Sequence, residues 1–402
     1  MRMSKKKEIV PKFRFPEFQR DGIDFVHGNK LFKSITNKNH NSDLPILAIT
    51  QDQGAVPRDQ IEYNVTVTDK SLSNYKVVEV GDFIISLRSY QGGIEYSRFK
   101  GICSPAYIIL RKRGENISEL YYKYFFKTWR YIQSLNRNLE GIRDGKMISY
   151  SQFSSVKVPY PRSFKEQQKI ADCLSSIDEL IDAENRKLKA LEKYKKGLMQ
   201  KLFPAEGKIL PEWKFPEFRG KSEWRIKPLG KICTNYDSRR IPITEKDRVK
   251  GEIPYIGASG VIDYINDFIF DEDLLCVSED GANLVARTYP IAFSISEKTW
   301  VNNHAHVLKF SHKYTQDIVE SYLNMINLQD FLTGMAQPKL NRAKLDIIPI
   351  PLPEEEEQQK IAGCLSDVDT MITEQSNKVE QLKAHKKGLM QGLFPSLEEA
   401  DV

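Results

Sequence analysis

Between Ile170 and Leu202 apolar residues return at alternating steps of four and three: Ile170, Leu174, Ile177, Ile181, Leu188, Leu191, Leu198 and Leu202. The same steps carry Ile361, Leu365, Val368, Ile372, Val379, Leu382, Leu389 and Leu393. Each series is broken by polar residues at the same two places, Glu184 and Lys195 in the first, Gln375 and Lys386 in the second. A 3.5-residue spacing sustained over this length predicts a helix with a coiled-coil seam. At 1.5 Å per residue, about 38 residues make a rod of roughly 57 Å. One such helix cannot bury its stripe alone. The other copy is the obvious antiparallel partner; the alternative is that each helix packs only on its own domain. Polar residues in a seam set register or partner choice rather than chemistry.

The two helices are copies of one another. Glu166–Pro204 aligns without gaps to Glu357–Pro395, with 22 of 39 positions identical at an offset of 191. They end in KKGLMQKLFP and KKGLMQGLFP, and each follows a proline-punctuated extended run, VKVPYP (Val156–Pro161) and IIPIPLP (Ile347–Pro353). Proline keeps the residue before it extended and stops the helix from starting early. The chain start PKFRFPEF (Pro11–Phe18) is echoed by PEWKFPEF (Pro211–Phe218). The chain is therefore a tandem duplication, read as a variable domain at 1–163, a helix at 164–204, a second variable domain at 205–353, and a second helix and tail at 354–402.

The variable segments read as mixed helix and strand, which makes the fold α+β. Strand-like runs are LPILAIT (Leu44–Thr50), IEYNVTVT (Ile61–Thr68), DFIISL (Asp82–Leu87) and PAYIIL (Pro105–Leu110). The second segment offers IPYIG (Ile253–Gly257), DLLCVS (Asp273–Ser278) and HAHVLKF (His304–Phe310). Asp82 and Asp273 keep the offset of 191, and each opens a strand followed by a polar, glycine-containing loop. Helices are expected over Glu119–Leu135 and Asp317–Leu332.

Charge is uneven. Residues 1–163 hold 27 Lys and Arg against 16 Asp and Glu, whereas residues 205–353 hold 19 against 20. The first domain is basic enough to suit a polyanion, and the second needs a local patch to do so. Five cysteines without a CxxC pair fit reduced thiols. MRMSKKKEIV runs into PKFRFPEF with no apolar signal core, and no apolar stretch reaches membrane-span length. A soluble cytoplasmic chain with no membrane contact is expected.

The doubled EQQKIA…KKGLMQ.LFP helices, the alternating layout and the phrase WVNNHAHVLK (Trp300–Lys309) resemble the specificity subunit of type I restriction-modification enzymes. The resemblance spans essentially the whole chain. It implies a non-catalytic subunit whose two target recognition domains each read half of a bipartite, asymmetric site on double-stranded DNA. It implies further that the helices pair antiparallel, set the gap between half-sites and dock two methyltransferase subunits, to which restriction motor-nuclease subunits add. S-adenosylmethionine would then belong to the methyltransferase partner, and ATP and Mg to the restriction partner, with no cofactor on this chain. The first domain departs from the pattern at FVHGNKLFKSI (Phe25–Ile35), whereas EWRIKPLGKI (Glu223–Ile232) opens the second in the more familiar way.

The chain's motifs agree with that role. An adenine methyltransferase needs an Asn/Asp-Pro-Pro-aromatic motif, and the chain has no Pro-Pro pair. GIRDGKM (Gly141–Met147) lacks P-loop spacing, and Glu212-Trp213-Lys214 is an isolated ExK match without its preceding Pro-Asp. His304, His306 and His312 lack neighbouring cysteine or acidic ligands in sequence, so no metal site is assigned. Bases are read by Arg on guanine and by Asn or Gln on adenine, while Lys and Arg neutralise phosphates. On loops of the first domain the candidates are Arg88, Tyr90, Gln91, Arg98, Arg143 and Lys146. On the second they are Arg239, Arg240, Ser259, Asn283, Arg287, Lys298, Asn302 and Asn303. The competing function is a coiled-coil adaptor that binds only proteins.

Overall fold

The computed structural model describes residues 10–41, 43–61, 72–137, 147–205, 207–221, 224–334 and 337–395. Its chain forms two compact units, residues 1–184 with 378–402, and residues 185–377. The long helices, Phe164–Leu202 and Glu355–Leu393, have 39 residues each, and each contributes to both units. Among the described residues no helix is long and apolar enough to cross a membrane.

The first unit contains β1 (Ile23–His27), β2 (Phe32–Ile35), β3 (Leu47–Thr50), β4 (Gly54–Pro57), β5 (Lys76–Val78), β6 (Phe83–Ile85), β7 (Glu95–Tyr96), β8 (Gly101–Cys103), β9 (Ile108–Lys112) and β10 (Lys157–Pro161). Its main sheet is antiparallel in the order β2-β9-β6-β7. Every side chain of β6 is buried, so this strand reads as a continuous apolar run rather than an alternating one. Asp82, which precedes it, is held by two hydrogen bonds of 2.7 Å from Arg111 on β9. At the centre of the core Phe32 packs edge to face on Phe83, Tyr122 and Phe126, and Phe83 on Phe126, with ring centroids 5.1 to 5.5 Å apart. Apart from Ile61, the strand expected over Ile61–Thr68 lies outside the described residues.

The single helix expected over Glu119–Leu135 is instead two, Glu119–Phe125 and Trp129–Arg137. At the break the Thr128 hydroxyl donates to the Phe125 carbonyl at 2.7 Å. A side-chain donor of this kind competes with the helix ladder for its acceptors.

The second unit contains β11 (Arg225–Pro228), β12 (Thr234–Asn235), β13 (Lys250–Gly257), β14 (Gly260–Ile265), β15 (Leu274–Ser278), β16 (Ala292–Ile295), β17 (Trp300–Val301), β18 (Ala305–Lys309) and β19 (Pro349–Leu352). The main sheet repeats the first unit's pattern, antiparallel in the order β12-β18-β15-β16, with β15 wholly buried at its centre. A smaller sheet, β14-β13-β17, adjoins it. The helix expected over Asp317–Leu332 runs Lys313–Met325. It stops because Arg287 donates to the carbonyls of Leu323 and Ile326, at 3.1 and 2.9 Å, which ends the helix ladder. The two domain openings that differ in sequence form alike: β1 pairs with β10, and β11 pairs with β19, both antiparallel.

Within the first unit the helices pair through Asp178 with Lys386 and Glu184 with Lys378, the latter at 2.6 Å. Residue numbers rise on one helix as they fall on the other, so the pair is antiparallel. Within the second unit Lys195 pairs with Asp369 at 2.5 Å. That contact and the Asp178–Lys386 contact are the same pair of positions, used once in each unit. The polar breaks Glu184, Lys195 and Lys386 are thus inter-helix contacts, and Gln375 is a buried amide. The structure leaves no seam position exposed. Ile170, Leu174, Ile181, Leu202, Ile361, Leu365, Val368, Val379 and Leu393 are buried, and Ile177, Leu188, Leu191, Leu198, Ile372, Leu382 and Leu389 are half-buried.

The repeated EQQK and LFP sequences have matching jobs. In the first unit Glu166 is forked by Arg14 at 2.7 and 2.9 Å, Lys169 bonds Glu17, and Gln167 donates to the Pro161 carbonyl at 2.8 Å. In the second, Glu357 meets Lys214 at 3.2 Å, Lys360 meets Glu217 at 3.5 Å, and Gln358 donates to the Pro353 carbonyl at 2.9 Å. The PxxxFPEF arm is therefore clamped to the start of a helix. Its backbone also reaches a helix end: Phe13 N–H donates to the Gly392 carbonyl at 2.8 Å, and Trp213 N–H to that of Lys201 at 3.0 Å. The single difference between KKGLMQKLFP and KKGLMQGLFP falls here, because the Phe13 ring occupies the space of a Cβ on residue 392. Phe394 then packs on Tyr121 and Phe125 at 5.1 and 5.6 Å, and Phe203 on Tyr322 and Trp224 at 5.8 and 6.4 Å.

The clamp predicts an asymmetric stability response. Arg14 and Glu166 side chains are only 6% and 1% exposed, so Arg14→Ala leaves a buried carboxylate uncompensated. Loss of about 3–5 kcal/mol is expected in the first unit. Lys214→Ala, at a longer single contact, should cost less. Urea unfolding read by hydrogen exchange in each unit checks this; equal losses would reject the ranking.

Candidate nucleic-acid interface

In the first unit the loop after β6 closes on itself before β7. Ser86 and Ser89 close the turn between them: the Ser89 hydroxyl oxygen accepts the Ser86 N–H at 2.9 Å, and the Ser89 N–H donates to the Ser86 carbonyl at 3.2 Å. A four-residue helical turn, Ser89–Gly92, follows and ends at Gly93, whose φ of 80° suits glycine. Arg88 and Gln91 on this turn are exposed, and Tyr90 is half-buried against the aromatic core. Asn136 donates to the Tyr90 carbonyl at 2.9 Å, and Gln51 to the Arg88 carbonyl at 3.3 Å. Arg98, beyond β7, is exposed and lines a cleft of about 710 Å³ that Asp178 and Lys386 also line. Arg143 and Lys146 lie outside the described residues.

In the second unit three loops converge on Glu279, at the end of β15. Arg240 donates to Glu279 Oε2 at 2.7 Å and to the Ala305 carbonyl at 2.8 Å. Lys339 reaches the other carboxylate oxygen at 3.2 Å, and Glu279 N–H donates to the His304 carbonyl at 2.9 Å. Burial pushes the Glu279 carboxyl up, but Arg240, His306 and Lys339 outweigh it and hold it below the usual range. Beneath, the buried His306 ring contacts Asp237 at 2.6 Å through Nδ1 and the Leu340 carbonyl at 2.7 Å through Nε2. Asp237 also accepts the Val307 N–H at 2.9 Å. Burial acts against its charge, and the His306 hydrogen bond and charge, the Val307 N–H and Arg240 together keep its carboxyl low.

The structure separates the sequence candidates by what their side chains already do. Arg239, Ser259, Lys298 and Asn303 are exposed. Arg239 lies over the Tyr236 and Phe270 rings, 4.6 and 4.8 Å from their centroids, and meets Glu272 at 3.2 Å. Lys298 lies over Phe268. The others are engaged inward. Arg240 serves Glu279, Arg287 caps the helix that ends at Met325, and Asn283 closes its own loop with two bonds to the Tyr289 backbone. Asn302 is 5% exposed and accepts the His304 N–H. Arg287 takes a φ of 51°, the left-handed region, and is the one non-glycine residue to do so among those described. Sequence reasoning passed over Lys339, whose side chain is half exposed at the same loop cluster; no motif marked it.

The histidines do not share a strand face. His304 precedes β18, is exposed and pairs with Asp280 at 2.8 Å, whereas His306 is buried and pairs with Asp237. His312 stacks on Tyr314. Lys214 of the ExK match belongs to the arm clamp.

The family described as the type I restriction modification DNA specificity domain matches residues 21–193 and 221–384, once in each repeat. A putative type I restriction enzyme specificity subunit of Haemophilus influenzae is 33% identical over 153 residues, covering 38% of this chain and 39% of that protein. The type I restriction enzyme MjaVIII specificity subunit of Methanocaldococcus jannaschii is 25% identical over 351 residues, covering 81% of this chain and 80% of that protein. The crystal structure of the type I restriction-modification S subunit from M. genitalium matches with a TM-score of 0.59 at 15% identity, covering 96% of this chain and 99% of that one. At that identity the likeness is one of fold.

The second unit's loop cluster should weaken in acid. A carboxyl held low in the folded state gives stability above its unfolded pKa, about 3.9, that is lost as pH falls through the folded value. Asp237→Asn is expected to cost about 1–3 kcal/mol at pH 7 and to flatten the second unit's stability below about pH 4. Urea titrations at several pH values measure both. An unchanged acid limb would show that Asp237 does not organise the cluster.

Proposed function

Because the chain belongs to the type I restriction-modification DNA specificity family, we propose that each of its two recognition domains reads one half of a bipartite double-stranded DNA site. The paired helices set the gap between the halves and dock two methyltransferase subunits, to which restriction subunits add. The chain contributes recognition and carries no catalytic centre of its own. S-adenosylmethionine is held by the methyltransferase partner, and ATP and Mg by the restriction partner.

The observation that carries this reading is the duplication at the level of contacts. The same helix positions, Asp178 with Lys386 and Asp369 with Lys195, hold the same arm-clamped architecture in each unit. The loops that surround the central strand differ between the units, which is what two readers of different sequences on one scaffold require. Arg88, Gln91 and Arg98 are the exposed readers or phosphate contacts in the first domain. Arg239, Ser259, Lys298, Asn303 and Lys339 take that part in the second, with Arg240, Asn283, Arg287 and Asn302 shaping the loops that present them. Arg143 and Lys146 remain candidates for the first domain. Lys and Arg contacts to phosphate make binding fall steeply with salt, which a protein-only adaptor would not show.

Replacing 221–353 with the matching segment of a relative should change one half of the methylated motif and keep the other. Methylome sequencing reads this directly. Altered bases in both halves would mean that the domains read DNA jointly.

The helices are tested as a measure of spacing by adding seven residues after Leu188 and seven after Val379. Seven residues keep the seam in phase and lengthen it by about 10.5 Å. That is roughly three base pairs, which also turn the duplex by about 100°. The expected outcome is a longer spacer with weaker modification, or no modification, with half-site bases unchanged. New half-site bases with the old spacer would reject the role.

A further inference from the structure

Lys127 sits in the turn that breaks the aromatic helix of the first unit, and its ammonium meets three acceptors. They are Glu95 Oε1 at 2.5 Å, the Gly92 carbonyl at 2.9 Å and the Gln51 carbonyl at 3.1 Å. Three donors for three acceptors is the full complement of a charged lysine. The acceptors lie on three separate segments: β7, the loop after β6, and the turn between β3 and β4. Gly92 lets this happen, since a Cβ there would meet the Gln51 side chain at 2.8 Å. One side chain therefore straps the exposed Arg88–Gln91 turn to the hairpin beside it.

Glu95 is the strap's anchor. It is 2% exposed, and its Oε2 has no hydrogen-bond partner. Burial pushes its carboxyl up to about 7, with Lys127 pulling it down and Asp52 pushing it further up. The helix pair contributes Asp178, Asp182 and Lys386 to the same cleft, and the domain contributes Tyr96, Arg98 and Lys123. A half-satisfied buried carboxylate costs stability. Its retention makes sense if it holds something in place.

We propose that Lys127, held by Glu95, is the positioning residue that sets the 86–93 loop for base reading by the first domain, a role that rests on the DNA reading proposed above. When Glu95 takes up a proton, the ammonium loses its counter-charge and the loop loosens. Reading of the first half-site then relaxes at pH 6 relative to pH 8. Stability moves the other way: a carboxyl raised in the folded state contributes stability at low pH that is lost as pH rises through about 7.

The opposed signs make the test. Full-length protein, Glu95→Gln, and Glu95→Gln with Lys127→Met are compared at pH 8 by hydrogen exchange and thermal unfolding. The amides of Ser89, Gln91, Gly92 and Gly93, all bonded within the loop, should exchange about tenfold faster in both variants. Glu95→Gln should at the same time melt higher than the parent, because a neutral amide replaces a buried charge. Unchanged exchange, or faster exchange with a lower melting temperature, marks the pair as merely structural and overturns the proposal. In cells with the complete system, the Glu95→Gln motif should relax in one half only; a loosened loop with an unaltered motif, or relaxation of both halves, also overturns it. A parent that leaves no bipartite motif sinks the DNA reading instead, while exchange and melting still decide whether Lys127 sets the loop.

Discussion

An apolar stripe that runs the length of a 39-residue helix must be covered. Here the ends of the two stripes enter the domain cores, Ile170, Leu174 and Leu393 in the first unit and Leu202, Ile361 and Leu365 in the second, while the two helices face each other through paired charges. That constraint organises the rest of the chain. Two helices of the same sequence pair antiparallel only if each contact position can be met from both directions. Asp178 with Lys386 and Asp369 with Lys195 do this, each using one acidic and one basic position of the repeat. Glu184 with Lys378 adds a further contact, and the residue at the repeat position of Glu184 is the buried amide Gln375.

The arm that precedes each domain then fixes where the helix begins. A carboxylate as buried as Glu166 is tolerable only with a partner that satisfies it in full, and the Arg14 fork does so. Lysine at the same place in the second unit makes a longer, single contact with Glu357. The difference is one of geometry rather than charge, since a guanidinium presents two parallel donors and an ammonium presents a point. Helix ends are treated in the same spirit. Phe394 and Phe203 fill aromatic sites in the two cores, which is why LFP is written twice.

On this common frame the loops are free to differ, and they are stabilised by unlike means. The first unit holds its loop with an ammonium shared among carbonyls and one buried carboxylate. The second gathers three loops onto Glu279 with Arg240, Lys339 and a buried His306–Asp237 pair below. Both arrangements place costly charged groups under an exposed surface. Such groups make sense where loop geometry matters more than stability.

The duplication, the seam and the extended runs before each helix are legible in sequence because they rest on local periodicity and on proline, which act within a few residues. Central strands β6 and β15 are legible too, as apolar runs opened by Asp82 and Asp273. Where helices end was not legible. The aromatic helix breaks at Thr128, and the second domain's helix stops at Met325, because of bonds made by Thr128 and by the distant Arg287. The candidate site was legible as a set of loops and not as a set of side chains. Arg240, Asn283, Arg287 and Asn302 have the residue types that read bases, yet their side chains are already engaged, the two arginines by carbonyls distant in the chain and the two asparagines by the backbone of their own loops. Lys127 and Lys339 carry no motif and gain their roles only from what the fold brings beside them. Composition and spacing determine which groups are available; tertiary contacts decide which are already satisfied, and a polar group satisfied inside the protein is no longer offered outside it.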